Sequence, residues 1–163
     1  MNIETVKINY GNAEHANALI SLLDLYAQDP MGGGHPLNAH VKEHLVAELS
    51  RRPTAFGVLA FADVQPVGLI NCFEGFSTFA CKPLVNIHDL IVSPKYRGRQ
   101  IAILMLEHVE RIAKERGCCK LTLEVLQGNA HAQQLYRKFG FADYKLASEK
   151  GNAMFWQKNL DAT

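Results

Sequence analysis

The heptapeptide YRGRQIA, residues 96–102, sets two arginines around a single glycine. It follows the apolar run LVNIHDLIV and opens a stretch with helical periodicity. A strand, a Gly- and Arg-bearing loop and a helix start together suit an anion, phosphate above all. The first amides of a helix lack intrahelical acceptors, the macrodipole adds partial positive charge, and anions settle at that end. Gly98 lets the backbone approach closely because it has no Cβ. Arg97 and Arg99 can add charge-assisted hydrogen bonds. Gln100 stands where a second glycine would relax the turn, yet it keeps its main-chain N–H. The expectation is helical φ/ψ at Gln100; a positive φ would cost on the order of 1 kcal/mol or more. An ordinary strand-to-helix turn is the plain alternative.

His88, on the preceding run, is a candidate general base, since an unperturbed imidazole titrates near neutrality. Period-two alternation places His88, Leu90 and Val92 on one face and Ile87, Asp89 and Ile91 on the other. A buried, hydrogen-bonded core histidine is an equal reading of His88. Glu74 and Glu124 lie on expected strands and are weaker candidates for base or amine binding. The glycine-rich DPMGGGHPL, residues 29–37, is either a plain flexible loop or a lid bringing Asp29 or His35 to an acceptor. His40 and His44 share a helix face, but no carboxylate at ligand spacing joins them and His35, so no metal is expected. The loop lacks the Lys-Ser/Thr of a P-loop and the GxGxxG of a dinucleotide site.

The elements that must hold these residues are legible by pattern. VKINY alternates as a strand. Asn12 can cap a helix with Ala16, Leu19, Ile20, Leu22, Leu23 and Tyr26 on one side, and Asn38 can cap AHVKEHLVAEL. TAFGVLAFA and PVGLINCFEGF form a hairpin about DVQ, and LVNIHDLIV is apolar enough for a central strand. A helix runs from Gln100 to Arg116 and stops at Gly117. KLTLEVL is a strand, NAHAQQLYRKF a helix capped by Asn129 and ended by Gly140, and FADYKLA and AMFWQKNL are closing strands. The order β α α β β β α β α β β implies an α/β fold, a mixed sheet of about seven strands with about four helices on its faces.

At 163 residues the chain is expected to form one domain, residues 1–163. With 48% hydrophobic and 20% charged residues and a net charge of +1, it gives no reason to expect nucleic acid or a membrane as partner. The N-terminus lacks a signal peptide's apolar region, so a cytoplasmic location is expected. The four cysteines match no zinc or CxxC spacing, and are expected reduced and mostly packed as small hydrophobes.

Taken together, Arg97-Gly98-Arg99-Gln100-Ile101-Ala102 and Asn129…Leu135-Tyr136…Gly140-Phe141 resemble the two signatures of the GNAT superfamily of acetyl-CoA-dependent N-acetyltransferases. Gln100 replaces the first signature's central glycine; the second is intact. The segment from Phe73 to Ala102 is similar to the spermidine/spermine and diamine acetyltransferase branch, where an acidic pair precedes a Tyr-Arg-Gly loop. Here that pair is His88 and Asp89, and a neutral histidine offers a polycation no fixed negative charge. The resemblance implies a mostly antiparallel GNAT sheet and pyrophosphate held by the backbone of Arg97, Gly98, Arg99, Gln100, Ile101 and Ala102. It further implies a pantetheine arm paired with the main chain of Leu90, Ile91 and Val92, and Asn129 near the thiol arm. Tyr136 would donate a proton to the leaving sulfur, and the base would be His88, directly or through water. At Asn129 a plain helix cap would look identical in sequence, and the alternative for Tyr136 is an aromatic packed beside Leu135 and Phe139.

The leading expectation is transfer of an acetyl group from acetyl-CoA to a primary amine of a small amino-acid- or diamine-like molecule. The alternatives are acetylation of a protein or peptide, and a non-catalytic acyl-CoA-binding module. AMFWQKNL could pair across a homodimer, and packing within one subunit explains it equally well.

Overall fold

Asparagine opens three of the helices. Asn12 Oδ1 accepts from the amides of Glu14 (2.8 Å) and His15 (3.1 Å) and starts α1, Ala13–Gln28. Asn38 Oδ1 accepts from Val41 (2.9 Å) and starts α2, Ala39–Ser50. Such caps satisfy amides that the helix itself leaves without acceptors.

The computed structural model describes residues 1–144 and 151–160. It falls into two units, Met1–Leu123 and Glu124–Thr163. The first holds β1 (Ile3–Lys7), α1, α2, β2 (Ala55–Ala62), β3 (Gln65–Ser77), β4 (Lys82–Val92), α3 (Ile101–Glu115) and β5 (Leu121–Leu123). The sheet order is β1-β2-β3-β4-β5; the first four strands run antiparallel and β5 runs parallel to β4. The second unit holds α4, Ala130–Phe139, capped by Asn129 and ended by Gly140 at φ 107°.

The mixed, mostly antiparallel α/β sheet and four α-helices agree with the sequence reading, but among the described residues the sheet has five strands where about seven were expected. Of FADYKLA, residues 141–144 form no strand and 145–147 lie outside the described residues. AMFWQKNL is described and is not a strand either. Its Phe155 and Trp156 are 75% and 80% exposed, and the Ala153 amide bonds the Tyr144 carbonyl at 3.3 Å. Strand-like composition makes a strand only where a ladder partner takes up the backbone groups.

One face of the sheet packs against α1 and α2 through Leu19, Leu22, Leu49, Ala55, Leu59, Leu69 and Ile91. The other face meets the buried stripe Ile101, Met105, Leu106, Val109 and Ile112 of α3. Gly68 permits this approach: a Cβ there would stand 2.7 Å from Met105 Cε. His108 Nδ1 lies 3.0 Å from Thr5 Oγ1, joining α3 to β1. Burial first, then the Arg111 charge, lowers the His108 pKa. Among the described residues no helix is long and apolar enough to cross a membrane.

All four cysteines are unpaired, as expected, but only Cys72 is buried; Cys81 and Cys119 are exposed and Cys118 is intermediate. The packing expectation therefore fails for three of them, which lie in turns at strand and helix ends rather than within the layers.

Candidate functional site

The loop after β4 is tied down by main-chain bonds. Ser93 N–H donates to the Val67 carbonyl and Tyr96 N–H to the Ser93 carbonyl, both at 2.8 Å. Gly98 follows at φ 78° with nothing within 4 Å of a Cβ placed on it, so its role is conformational rather than spatial. Gln100, at φ 61° and ψ 11°, is left-handed, which overturns the helical expectation. Two successive turns of the chain must be made before α3 can start, and the second falls on a residue that bears a Cβ. The left-handed geometry also denies Gln100 a capping bond. Of the four α-helices among the described residues, α3 alone lacks a side-chain acceptor at its start. No acidic residue occupies its first turn. Its leading amides therefore have no side-chain acceptor among the described residues, and the macrodipole lies behind them.

Two arginines flank these amides. Arg97 Nη2 lies 3.2 Å from Asp29 Oδ2, and its Nε is 3.3 Å from the Val92 carbonyl. The Arg99 guanidinium lies 5.5 Å from the Tyr96 ring centroid, and its Nη1 is 3.2 Å from Met1 Sδ. Asp29 is the C-cap of α1, and its Oδ1 accepts from the Met31 amide at 2.9 Å. That bond first, then Arg97, holds the Asp29 carboxyl below the usual range. The glycine-rich loop and the arginine loop are thus joined.

β4 does not alternate as the sequence suggests. Cys72 pairs with Ile87 and Asn71 with Asp89, leaving His88 as an extra, bulged residue. Ile87 therefore shares the α3 face with Leu90 and Val92, whose partners are Ile70 and Gly68. His88 joins Asp89 and Ile91 on the side of α1: its Nδ1 is 3.2 Å from Asp89 Oδ1, and its ring meets Phe73 edge-on at 5.5 Å. On a regular strand, neighbours in sequence point to opposite faces; the bulge brings this pair together. β5 pairs only with Val85, Asn86 and Ile87. Past the bulge, the edge at Leu90, Ile91 and Val92 has no strand partner on that side among the described residues. Ile91 is buried, and Leu90 and Val92 are half-buried.

Asp89 also accepts from Asn71 Nδ2, at 3.0 Å. Tyr26 lies within electrostatic reach: burial raises its pKa, helped by the charges of Asp89 and Asp29. Burial, with Asp89 adding to it, also pushes the Cys72 thiol up.

His35 is exposed, its amide bonded to the Ala27 carbonyl at 3.0 Å. Glu74 is not brought to this site. Its Oε2 pairs with Arg116 Nη1 at 2.9 Å, at the opposite end of α3 from Gln100. Glu124, Asn129 and Tyr136 belong to the second unit. Glu124 is exposed. Asn129 Oδ1 accepts from the Ala132 amide at 3.1 Å. The Tyr136 ring is partly buried, 5.8 Å edge-on from Phe141. Sequence reasoning missed Asn71, Tyr26 and the Asp29–Arg97 link. Asn71 did leave a signal, as the one polar residue inside VGLINC.

The profile of the Acetyltransferase (GNAT) family matches residues 19–141. The chain belongs to this family. Among GNAT relatives, the streptothricin acetyltransferase of Streptomyces lavendulae is 37% identical over 82 residues, 50% of this chain and 43% of that protein. The thialysine N-epsilon-acetyltransferase of Bos taurus is 36% identical over 59 residues, 36% of this chain and 35% of that protein. The chain therefore spans less than half the length of these two relatives. The Caenorhabditis elegans thialysine N-epsilon-acetyltransferase matches more broadly, 25% identical over 76% of this chain and 74% of its own. A probable acetyltransferase of known structure covers 98% of this chain and 99% of its own, with a TM-score of 0.78 and 21% identity. The aminoglycoside acetyltransferase AAC(6')-Iy, solved with a bisubstrate analogue, covers the same shares, with a TM-score of 0.76 and 18% identity. These structures establish that the GNAT fold extends along the chain.

Proposed function

We propose that this GNAT chain transfers an acetyl group from acetyl-CoA to a primary amine of a small molecule. The observation that carries the reading is the start of α3: a helix without a side-chain cap, behind a Gly98 turn and flanked by two arginines. Those residues fit a pyrophosphate, which needs several aligned N–H donors and positive charge. In this reading the main chain of Arg97 to Ala102 holds the phosphates. The unpaired edge at Leu90, Ile91 and Val92 takes the pantetheine arm as a strand would. Bound acetyl-CoA supplies the thioester whose carbonyl carbon the amine attacks.

His88 Nε2 takes a proton from the acceptor's ammonium, directly or through water, and the free amine then attacks. The new C–N bond forms as the C–S bond breaks, and Tyr136 gives its phenolic proton to the departing sulfur. The nitrogen sheds its extra proton to solvent, from which Tyr136 is reprotonated. Asn129 is assigned to the thiol arm and His35 to the acceptor, both from the family signature and their place in the chain. Glu74 and Glu124 are weaker choices for the acceptor, and the Arg116 pair counts against Glu74. The names of the relatives supply the first amines to try: thialysine, streptothricin and an aminoglycoside, with spermidine as the polyamine arm.

The test is calorimetric titration with acetyl-CoA, followed by thiol release in the presence of each amine, with Tyr136→Phe as control. Tight binding and thiol release that Tyr136→Phe slows by about 10²-fold or more support the reading. Binding without turnover on any amine would favour the acyl-CoA-binding module, and turnover on peptides alone the protein acetyltransferase.

A further inference from the structure

Asn71 is the one buried polar side chain among the described residues, 3% exposed in the middle of β3. Its cross-strand partner on β2 is Gly57, where a Cβ would stand 2.6 Å from Ile8 Cδ1, so the apolar Ile8 side chain fills that position. The Asn71 amide is poorly served. Nδ2 donates to Asp89 Oδ2 at 3.0 Å, while Oδ1 is buried without a partner among the described residues. Burying half an amide without a hydrogen bond is unfavourable. A leucine of similar size would suit this layer better if stability were all that counted. Stability therefore does not account for Asn71, and its single bond to Asp89 must be weighed for what it does next.

That bond is the first of two. Asp89 Oδ2 is held by Asn71, and Oδ1 lies 3.2 Å from His88 Nδ1. An ionised carboxylate only accepts hydrogen bonds, so a neutral imidazole in this contact carries its hydrogen on Nδ1. The lone pair is then on Nε2, at the outer side of a ring whose side chain is 62% exposed. The three residues run from the sheet interior to the surface, and the bulge is what lets the last two meet. The Phe73 ring backs the imidazole. Tyr26 on α1, with Asp29 beside it, and Cys72 on β3 are titratable groups that also feel the Asp89 charge.

We propose that Asn71 is a positioning residue: it fixes the Asp89 carboxylate, which holds His88 in the Nδ1–H tautomer with Nε2 turned outward to take the acceptor's proton. This rests on the reading of His88 as the base.

Two readouts test it separately. Long-range proton–nitrogen spectra of the chain labelled with nitrogen-15 in histidine report the tautomer of His88 without any turnover, with His88→Gln assigning the signal. Wild type is expected to show Nδ1–H, and Asn71→Leu and Asp89→Asn a shift toward Nε2–H. Asn71→Thr, which keeps a donor, should restore much of the wild-type pattern. With thialysine and acetyl-CoA, Asn71→Leu should lower kcat by about 10-fold, a fraction of what a whole general base supplies, with KM nearly unchanged. Thermal unfolding checks that each variant is folded, and Asn71→Ala replaces the leucine variant if that one is not. An unchanged His88 tautomer in a folded Asn71 variant without a donor overturns the proposal, whatever the activity. If the tautomer obeys Asn71 but wild type acetylates no amine, the positioning chain stands and the assignment of His88 as base falls.

Discussion

Replacing Gln100 by glycine should stabilise the protein, and the size of the effect can be worked from the backbone. At φ 61° a residue with a Cβ meets its own carbonyl, at about 1–2 kcal/mol. Glycine removes that strain but gives the unfolded chain more freedom, which returns about 0.4–1 kcal/mol. The Gln100 side chain is exposed and makes no capping bond, so nothing else is lost. The net gain is about 0.5–1 kcal/mol, or roughly 1–4 °C in Tm for a chain of this size. Gln100→Ala keeps the strain and should be close to wild type, whereas Gln100→Val adds β-branching and should lose ~1 kcal/mol or more. Urea unfolding of the four proteins gives the order Gly, then wild type with Ala, then Val. Acetyl-CoA affinity should hold within about twofold in Gln100→Gly, since main-chain N–H groups do the binding. If glycine and alanine behave alike, the left-handed strain is not there and the reasoning fails.

Asp29→Asn removes the carboxylate that competes for the Arg97 guanidinium, so acetyl-CoA should bind up to about fivefold tighter at low salt, the ceiling for an exposed pair; calorimetry at two salt concentrations checks this. Glu74→Gln should destabilise by about 1 kcal/mol, leaving Arg116 stacked on Phe56 without its counter-charge. The same variant should leave thiol release unchanged, whereas a role in holding the amine would raise KM. The His108 pKa is depressed in the fold, so its contribution to stability is present above the unfolded value near 6.5 and is lost as pH falls below it. Comparing urea midpoints at about pH 8 and pH 5.5, His108→Gln should lose less stability in acid than wild type; an equal loss would assign the acid sensitivity elsewhere.

Signals local to the chain were legible in the sequence. Asn12, Asn38 and Asn129 cap the helices they were expected to cap, and Gly117 and Gly140 end theirs with positive φ. The loop bearing Arg97, Gly98 and Arg99 stands between β4 and the start of α3, as its order in the chain suggested. What stayed hidden depended on a partner far along the chain. The extra residue at His88 exists only against the count of β3, and no pattern within LVNIHDLIV announces it. Arg116 reaches Glu74 across 42 residues, and Arg97 reaches Asp29 across 68. Gln100 misled for another reason: its type favours the helix, and the turn imposed by Gly98 overrode that preference.

The bulge gives β4 two reading frames. Up to Ile87 the odd-numbered residues, Val85 and Ile87, face α3; beyond it the even-numbered Leu90 and Val92 do. A chain that dropped His88 would run on as a regular strand, with Ile87 still facing α3 and Asp89 still facing α1, so the extra residue changes the count without changing the faces. Aligned relatives must therefore be counted from the strand crossing inward, not back from the arginine loop. A gap set one position off would match an imidazole or carboxylate to a buried isoleucine and hide the chemistry in plain sight.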